Sequence, residues 1–227
     1  MSADIVQHEI RDFIDEIPAS VSCPPVILKL QEDTPRNRKA LHENELARLD
    51  SYRLTKRRRE YLTGRICAKE AVLIYLHACN LPPVSADKIE IVNRENGHPA
   101  ALLHPLPHLA APHISISHSK EMATAIASPC PCGIDLQKIE KKLLKVKKRF
   151  CSESELGRLA EIAKENELNT LALLWCAKEA IQKRFGHNTM LGFSEIHLQQ
   201  CVQIKIKPHR FFQLKFFLSK KQAPLLP

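Results

Sequence analysis

Glu179 and Lys183 set a carboxylate and an amine one helical turn apart. A carboxylate so placed can take a proton or hold a divalent cation, and the amine can offset charge on a phosphate. On an exposed helix face the same i,i+4 pair is only a surface ion pair worth a few tenths of a kcal/mol. Upstream, Gly133–Gln137 reads GIDLQ, where a period of two puts Asp135 and Gln137 on one face and Ile134 and Leu136 on the other. Taken alone, Asp135 is an ordinary loop residue. Beside Glu179 it would make a two-carboxylate oxygen site, and hard oxygens with open positions suit Mg²⁺, which keeps waters and takes substrate phosphates. His113–Ser119 reads HISISHS. His118 by itself is a satisfied polar residue, but with Ser117 and Ser119 beside it the imidazole and hydroxyls form a phosphate-binding set.

Helices and strands must carry these groups. Leu171–Phe185, LALLWCAKEAIQKRF, is rich in Ala and Leu, has no Gly or Pro inside it, and meets a stop at Gly186. Leu171, Leu174, Ile181 and Phe185 form its apolar stripe, and at about 100° per residue Glu179 and Lys183 lie roughly 140° or more from the stripe's centre. Trp175 sits one turn before Glu179 on that side, so the helix has two sides with something to contact. Earlier in the chain, Val26–Lys29 reads as a strand and Asn44–Tyr52 as a helix. Lys56–Glu60, KRRRE, leads into a long helix to about Asn80, with Tyr61, Gly64, Ala68, Ala71, Val72, Tyr75 and Cys79 on its buried face. Gly64 costs roughly 1 kcal/mol there relative to Ala. A group packed closely against it would explain its presence.

Leu81-Pro82-Pro83 ends that helix. Ile89–Val92 alternates as a strand, and Asn96–Pro99 is a turn. The Pro- and His-rich loop 104–113 precedes the HISISHS strand, with Ile114 and Ile116 facing one way and Ser115 and Ser117 the other. Ala123–Ala127 reads as its partner. Ser128–Cys132, SPCPC, is the expected linker. Gly133–Gln137 then starts a second pass with a strand, followed by a basic helical segment to Phe150. Ser152 and Glu155 have capping-box spacing before another helix. A terminal hairpin follows, with Val202, Ile204 and Ile206 alternating, a turn at Pro208, and Phe212, Leu214, Phe216 and Leu218 alternating again. The expected architecture is α+β in two parts, residues 1–129 and 130–227, and no short-period repeat is present.

At 227 residues the chain suits one large domain or two small ones. A formal charge of +9 predicts salt-sensitive attraction to polyanions: nucleic acid, phosphorylated cofactors or an acidic protein. No apolar run reaches the ~18 residues that span a bilayer. The polar, acidic start MSADIVQHEIRDF is no secretory signal, so a cytoplasmic protein is expected. Of the eight cysteines only Cys130 and Cys132 are close, as C-x-C without a second pair at metal-ligand spacing. Buried free thiols are the reading for the rest.

ISISHS, GIDL and WCAKEAIQK together resemble, in order and spacing, the three motif blocks of the 4′-phosphopantetheinyl transferases, in the two-subdomain, single-chain form that activates surfactin or enterobactin synthetase. RREYLTGRICAKEAV is similar to that form's first long helix, and NGHP to its turn before a strand. The likeness runs from about Arg48 to Lys183; residues 1–45 and the terminal hairpin carry no matching motif. It implies two similar α+β halves related by a pseudo-twofold, with the active site at their interface. It further implies Mg²⁺-dependent transfer of the phosphopantetheine arm of coenzyme A to a carrier-protein serine, with release of 3′,5′-ADP; Mn²⁺ is a possible substitute. By the same resemblance, Asp135 and Glu179 are metal-binding carboxylates, and Glu179 is the candidate base for the serine. Lys183 sits on the β-phosphate, Ser117 and His118 contact nucleotide phosphate, and Arg48 holds the 3′-phosphate. His98 stands where the family usually has Lys, and Gln137 where many members have Glu as a third metal ligand. Ser119 is the other residue that could supply that ligand. The partner implied is an acidic apo carrier protein of fatty-acid or secondary-metabolite synthesis, served by a monomer, with no nucleic acid or membrane involved.

Two other function classes fit parts of the sequence. The basic runs Lys56–Arg59 and Lys141–Arg149 and the basic C-terminus would suit a nucleic-acid-binding module, although aromatic residues are sparse among them and such runs are ordinarily solvated helix faces. Gln137 in place of a carboxylate would suit an inactive homologue that only binds carrier or coenzyme A.

Overall fold

The computed structural model describes residues 23–104, 106–185, 191–206 and 209–219, apart from the side chains of residues 205, 206, 209 and 210. The chain divides into two compact units, 1–136 and 137–227. Both combine helices with antiparallel strands, the expected α+β class.

Unit 1 holds strands β1 (Val26–Lys29), β2 (Ile89–Asn93), β3 (Pro99–Leu103), β4 (His113–Ser119) and β5 (Met122–Ser128). They form one antiparallel sheet in the order β1-β5-β4-β3-β2. Helices α1 (Pro35–Arg38), α2 (Glu43–Ser51) and α3 (Thr55–Ala78) complete it, and α3 lies across β5, β4 and β1. The expected face of α3 is only partly right. Gly64, Ala68, Ala71 and Val72 are buried, but Tyr61 and Tyr75 are half-buried and Cys79 is exposed. Leu62, Ile66, Cys67, Lys69 and Leu76 are buried as well, because α3 is covered on two sides, by the sheet and by the chain around α2.

Lys69 is the buried tie on that second side. Its Nζ donates to the carbonyls of Ala40 (2.8 Å) and Ala86 (3.0 Å) and pairs with Glu45 at 2.5 Å. Glu45 in turn accepts from His42 N at the cap of α2 (2.8 Å) and from Ile91 N of β2 (3.0 Å). Burial pushes the Lys69 amine below the usual lysine range, against the pull of Glu45.

Gly133–Gln137 does not form the expected strand. Instead, the hydroxyls of Ser115 and Ser117 accept from Ile134 N (3.1 Å) and Leu136 N (3.2 Å). Side chains, not a backbone ladder, hold residues 134–136 to β4, and these therefore go with unit 1. The boundary falls after Leu136, later in the chain than the proline-rich Ser128–Cys132 suggested.

Unit 2 contains α4 (Lys142–Val146), α5 (Glu153–Ala163), α6 (Glu167–Phe185) and the hairpin of β6 (Ile196–Ile206) and β7 (His209–Leu218). The capping box is present: Ser152 Oγ accepts from Glu155 N, and Glu155 accepts from Ser152 N. Glu155 also accepts from Leu198 N of β6 (2.9 Å) and pairs with the buried Lys178 of α6 (2.8 Å). A bulge between Leu198 and Gln200 shifts the alternation of β6, turning Cys201 inward and leaving Val202 and Ile204 exposed. Arg158 donates to the Leu198 and Gln199 carbonyls at that irregularity. Trp175 packs edge-on to Phe150 (4.9 Å) and beside Phe193 (5.1 Å), so the second side of α6 finds its contacts within unit 2. Ile181 and Phe185, expected in the main stripe, are half-buried while Leu171 and Leu174 are buried. Gly186, Pro208 and the Ile206 side chain lie outside the described residues.

None of the eight cysteines forms a disulfide. Cys23, Cys67 and Cys201 are buried as expected, but Cys151 and Cys176 are only half-buried and Cys79 is exposed.

Candidate active site

Strand alternation on β4 sorts its side chains onto two faces. Ile116 and His118 point toward α3, and Ser115 and Ser117 point to the side taken by residues 134–136. The His118 ring lies directly over Gly64: a Cβ added there would collide with Nε2 and come within 2.9 Å of Cε1. This is the close packing that the helical glycine implied, and it seats the imidazole against a helix backbone.

His118 and Gly64 are part of a cleft of about 280 Å³ lined also by Arg48, Tyr52, Tyr61, Arg65, Asn93, Pro99 and Ile116. An adjoining hollow of about 630 Å³ is lined by Tyr52, Arg57, Glu60, Tyr61 and His118. Arg48, exposed on α2, has its guanidinium 5.5 Å from the Tyr52 ring, and Arg65 lies 4.6 Å over Tyr61. The two tyrosine rings are 5.3 Å apart, so an arginine flanks each end of an aromatic pair. Cation–π contact orients both guanidinium groups without neutralising them. Hydrogen bonding to Tyr52 holds Arg48 above the ordinary arginine range, and burial raises Tyr61 above that of a free phenol. Arg65 Nε is buried with no hydrogen-bond partner among the described residues, and the nearest carboxylate, Glu45, is 3.8 Å away. A buried, unsatisfied cationic donor costs free energy unless an acceptor meets it. The cleft thus offers Arg48, Arg65 and His118 to an anion and aromatic faces to a planar group.

Arg48 and His118 are brought together as the sequence suggested, and Arg65 joins them without having been singled out. Its sequence signal was its place beside Gly64 and one turn after Tyr61. His98 is in the turn between β2 and β3, with its N–H on Asn96 Oδ1 (3.1 Å); its neighbour Pro99 lines the cleft and His98 does not. Ser117 is separated from His118 by the pleat. Its hydroxyl donates to Asp135 Oδ1 (2.8 Å) while accepting from Leu136 N, so it orients Asp135.

Unit 2 carries Glu179 and Lys183 half-buried on α6, four residues apart. The residue between Ala177 and Glu179 fixes the helix rotation: Lys178 Nζ donates to the Phe150 carbonyl at 2.7 Å and pairs with Glu155. Gln137 Nε2 donates to the Lys138 carbonyl (2.7 Å).

Residues 131–223 match the profile of the 4′-phosphopantetheinyl transferase superfamily. The chain is 29% identical over 121 residues to 4′-phosphopantetheinyl transferase Sfp of Bacillus subtilis, covering 52% of each chain. It is 32% identical over 74 residues to 4′-phosphopantetheinyl transferase gsp of Aneurinibacillus migulanus, covering 33% of this chain and 31% of that one. Over residues 131–223 the chain is thus similar to the 4′-phosphopantetheinyl transferase superfamily. The matches span a third to about half the length of these transferases. Asp135, Gln137, Glu179 and Lys183 lie inside the superfamily segment; Arg48, His98, Ser117 and His118 precede it. Two solved structures are also similar. A holo-(acyl-carrier-protein) synthase from Bacillus anthracis, in complex with CoA (3′,5′-ADP), shows 28% identity and TM-score 0.34 over 48% of this chain and 96% of that one. A holo-ACP-synthase from Plasmodium yoelii shows 24% identity and TM-score 0.36 over 45% and 88%. At these TM-scores neither structure bears on the fold of this chain.

Proposed function

We propose that the chain transfers the 4′-phosphopantetheine arm of coenzyme A to a serine of an apo acyl- or peptidyl-carrier protein. The observation that carries the reading is the seating of His118 on Gly64 beside Arg48 and Arg65, a cationic and aromatic cleft suited to a nucleotide phosphate. On the other face of the same strand, Ser117 fixes Asp135, and the superfamily segment supplies Glu179 and Lys183.

In this reading Arg48, Arg65 and His118 hold the phosphate of the nucleotide end, and Tyr52 or Tyr61 supports its base. The serine Oγ bonds to the β-phosphorus, the β-phosphorus–oxygen bond to the adenosine side breaks, and 3′,5′-ADP leaves. Glu179 takes the serine proton, and Lys183 offsets the charge that develops on the leaving phosphate. Asp135, Glu179 and Gln137 present only oxygen donors, two of them charged, and Ser117 already orients Asp135, so these residues fit Mg²⁺, with Mn²⁺ as substitute. When bound, the ion supplies charge neutralisation for the pyrophosphate. Gln137 contributes a neutral oxygen and hence less attraction than a carboxylate would. His98, beside the cleft, is an outlying contact that strengthens on protonation.

Among the described residues no helix is long and apolar enough to cross a membrane. The proposal places the enzyme in the cytoplasm as a monomer, and the +9 charge supports docking of an acidic carrier in preference to nucleic acid. The test is incubation with coenzyme A, Mg²⁺ and a panel of apo carriers, followed by mass spectrometry of each carrier. A phosphopantetheine adduct on at least one carrier is expected. Coenzyme A binding without any adduct across the panel would make the chain a binding homologue and overturn the enzymatic reading.

A further inference from the structure

His42, Glu90 and His104 share no residue with the cleft, yet three elements of unit 1 bring them together. His42 caps α2, Glu90 lies on β2 and His104 follows β3. Their ligand atoms all lie within 4.8 Å of one another. His104 Nε2 is 2.9 Å from Glu90 Oε2, and His42 Nδ1 is 3.7 Å from the same oxygen. The imidazoles stack nearly parallel, 4.5 Å apart and 7° from coplanar.

The hydrogen-bond inventory around this trio is unbalanced. His42 Nδ1 accepts from Asn44 N (3.3 Å), so that nitrogen presents a lone pair. It therefore faces Glu90 Oε2, another acceptor, with nothing to donate between them. The second carboxylate oxygen is committed, since Glu90 Oε1 accepts from Asn44 Nδ2 at 2.9 Å, and this turns Oε2 toward the two rings. His104 Nε2 donates to Glu90 Oε2, and a cation that displaces that proton finds two imidazole nitrogens and one carboxylate oxygen aimed at a common point. A fixed outer partner such as Asn44 is what orients a metal-binding carboxylate.

We propose that His42 Nδ1, His104 Nε2 and Glu90 Oε2 bind one divalent cation of the Zn²⁺ class, with a further position left to solvent. Two imidazoles and a carboxylate are a borderline-soft set that suits Zn²⁺ and disfavours Mg²⁺, which takes oxygen ligands. Bonds of about 2.0–2.2 Å draw the three atoms closer than they stand here. Glu90 is 11% exposed at its side chain and stays put, while His104, 43% exposed, moves in. His42 exchanges a long cap bond for a metal bond, and α2 keeps the other half of its capping box, Glu45 to His42 N. The ion clips the start of α2 to the edge strand β2 and to the chain after β3. The site rests on unit 1 alone and is independent of the transfer reaction.

The test uses the full chain stripped with a chelator and titrated with Co²⁺ and Zn²⁺. Cysteine is the competitor, and Co²⁺–thiolate bonding is visible as near-ultraviolet charge transfer, which a His-His-Glu site lacks. One equivalent of Co²⁺ with visible d–d bands and no thiolate charge transfer is expected, displaced by Zn²⁺. His104→Ala, an exposed substitution, should weaken binding at least tenfold with an unchanged circular dichroism spectrum. His42→Ser, which keeps a capping hydroxyl, should do the same. Zn²⁺ should raise the thermal midpoint of the unsubstituted chain by several degrees and leave His104→Ala unmoved. Binding that both variants retain, binding with thiolate charge transfer only, or equal competition by Mg²⁺ would each overturn the site.

Discussion

Lys69 in unit 1 and Lys178 in unit 2 make the same set of contacts. Each pairs with a glutamate at the third position of a capped helix, Glu45 or Glu155. Each glutamate also receives a backbone N–H from a strand, Ile91 or Leu198. Each lysine reaches the carbonyl five residues before that glutamate, Ala40 or Phe150, and a second carbonyl at a 3-10 turn, Ala86 or Phe193. The sequence repeats with the contacts: Cys67–Val72 is CAKEAV and Cys176–Ile181 is CAKEAI. The differences lie around this shared frame. Five residues before the lysine, unit 1 has Gly64, which admits His118, and unit 2 has Leu173, which packs into its core. Five residues after it, unit 1 has Ile74 and unit 2 has Lys183. One scaffold has thus been fitted with an anion cleft in one copy and with a carboxylate–amine pair in the other. The lysine of each KEA belongs to the scaffold, and in the proposed reaction the glutamate beside it in unit 2, Glu179, is the base.

The comparison is broken most sharply at the glutamates of the two KEA segments. Glu179→Gln should lower carrier modification by about 10²–10⁴-fold, the range of a lost general base, with the thermal midpoint unchanged. Glu70→Gln, the same change in the other copy, should leave the rate within about twofold. Equal losses at both positions, measured by mass spectrometry of the carrier over time, would end the division of labour.

The lysines come next. Removing one partner of a buried ion pair costs about 3–5 kcal/mol because the other charge is left unmet. Lys178→Met should therefore destabilise unit 2 by that amount, and Lys178→Met with Glu155→Leu should recover most of it. Trp175, the only tryptophan of the chain, packs within unit 2 and reports this transition by fluorescence. Lys69→Met, alone and with Glu45→Leu, should follow the same pattern by circular dichroism. A double variant no more stable than its single parent would show that the carboxylate serves only the strand N–H.

How much of this was readable in the sequence follows from what each signal depends on. Periodicity and caps are local, so the long helices, the Ser152 cap, the HISISHS strand and the terminal hairpin were legible. Gly64 was legible as an anomaly, and only the structure names His118 as the cause. The buried lysines were missed because a lysine in a helix reads as solvated, and its burial depends on partners such as Ala40 and Ala86 that carry no side-chain signal. The Gly133–Gln137 stretch alternates like a strand but has serine hydroxyls, not a neighbouring backbone, as its partner. The bulge in β6 likewise reversed which of its alternating residues face inward.

Filling the notch at Gly64 gives a smaller effect. Gly64→Ala should favour α3 by up to about 1 kcal/mol in helix propensity, yet the new methyl must displace the His118 ring. The expected outcome is a thermal midpoint that is level or raised, with coenzyme A bound about tenfold more weakly. Leu173→Ala in the other copy should do the reverse, losing about 2–3 kcal/mol of stability with coenzyme A affinity unchanged. Calorimetric titration with coenzyme A separates the two. Unaltered affinity in Gly64→Ala would mean that the seat of His118 is not part of the binding surface.

The smallest effect is a dependence on acid. Burial works to raise Glu155, but hydrogen bonds from Lys178, Ser152 N and Leu198 N outweigh it and hold the carboxyl below its ordinary value of 4.5. A group whose folded value is depressed adds stability that is complete above the unfolded value and is lost as pH falls through the folded one. Unit 2 should therefore hold its Trp175-reported midpoint from neutral pH to about 4.5 and lose it below, as the carboxylate that joins α5, α6 and β6 takes up a proton. Glu155→Gln should start lower at pH 7 and fall less steeply between pH 4.5 and 3, since a neutral amide has no charge left to lose. Parallel curves for the two proteins would assign the acid sensitivity of unit 2 to other carboxylates.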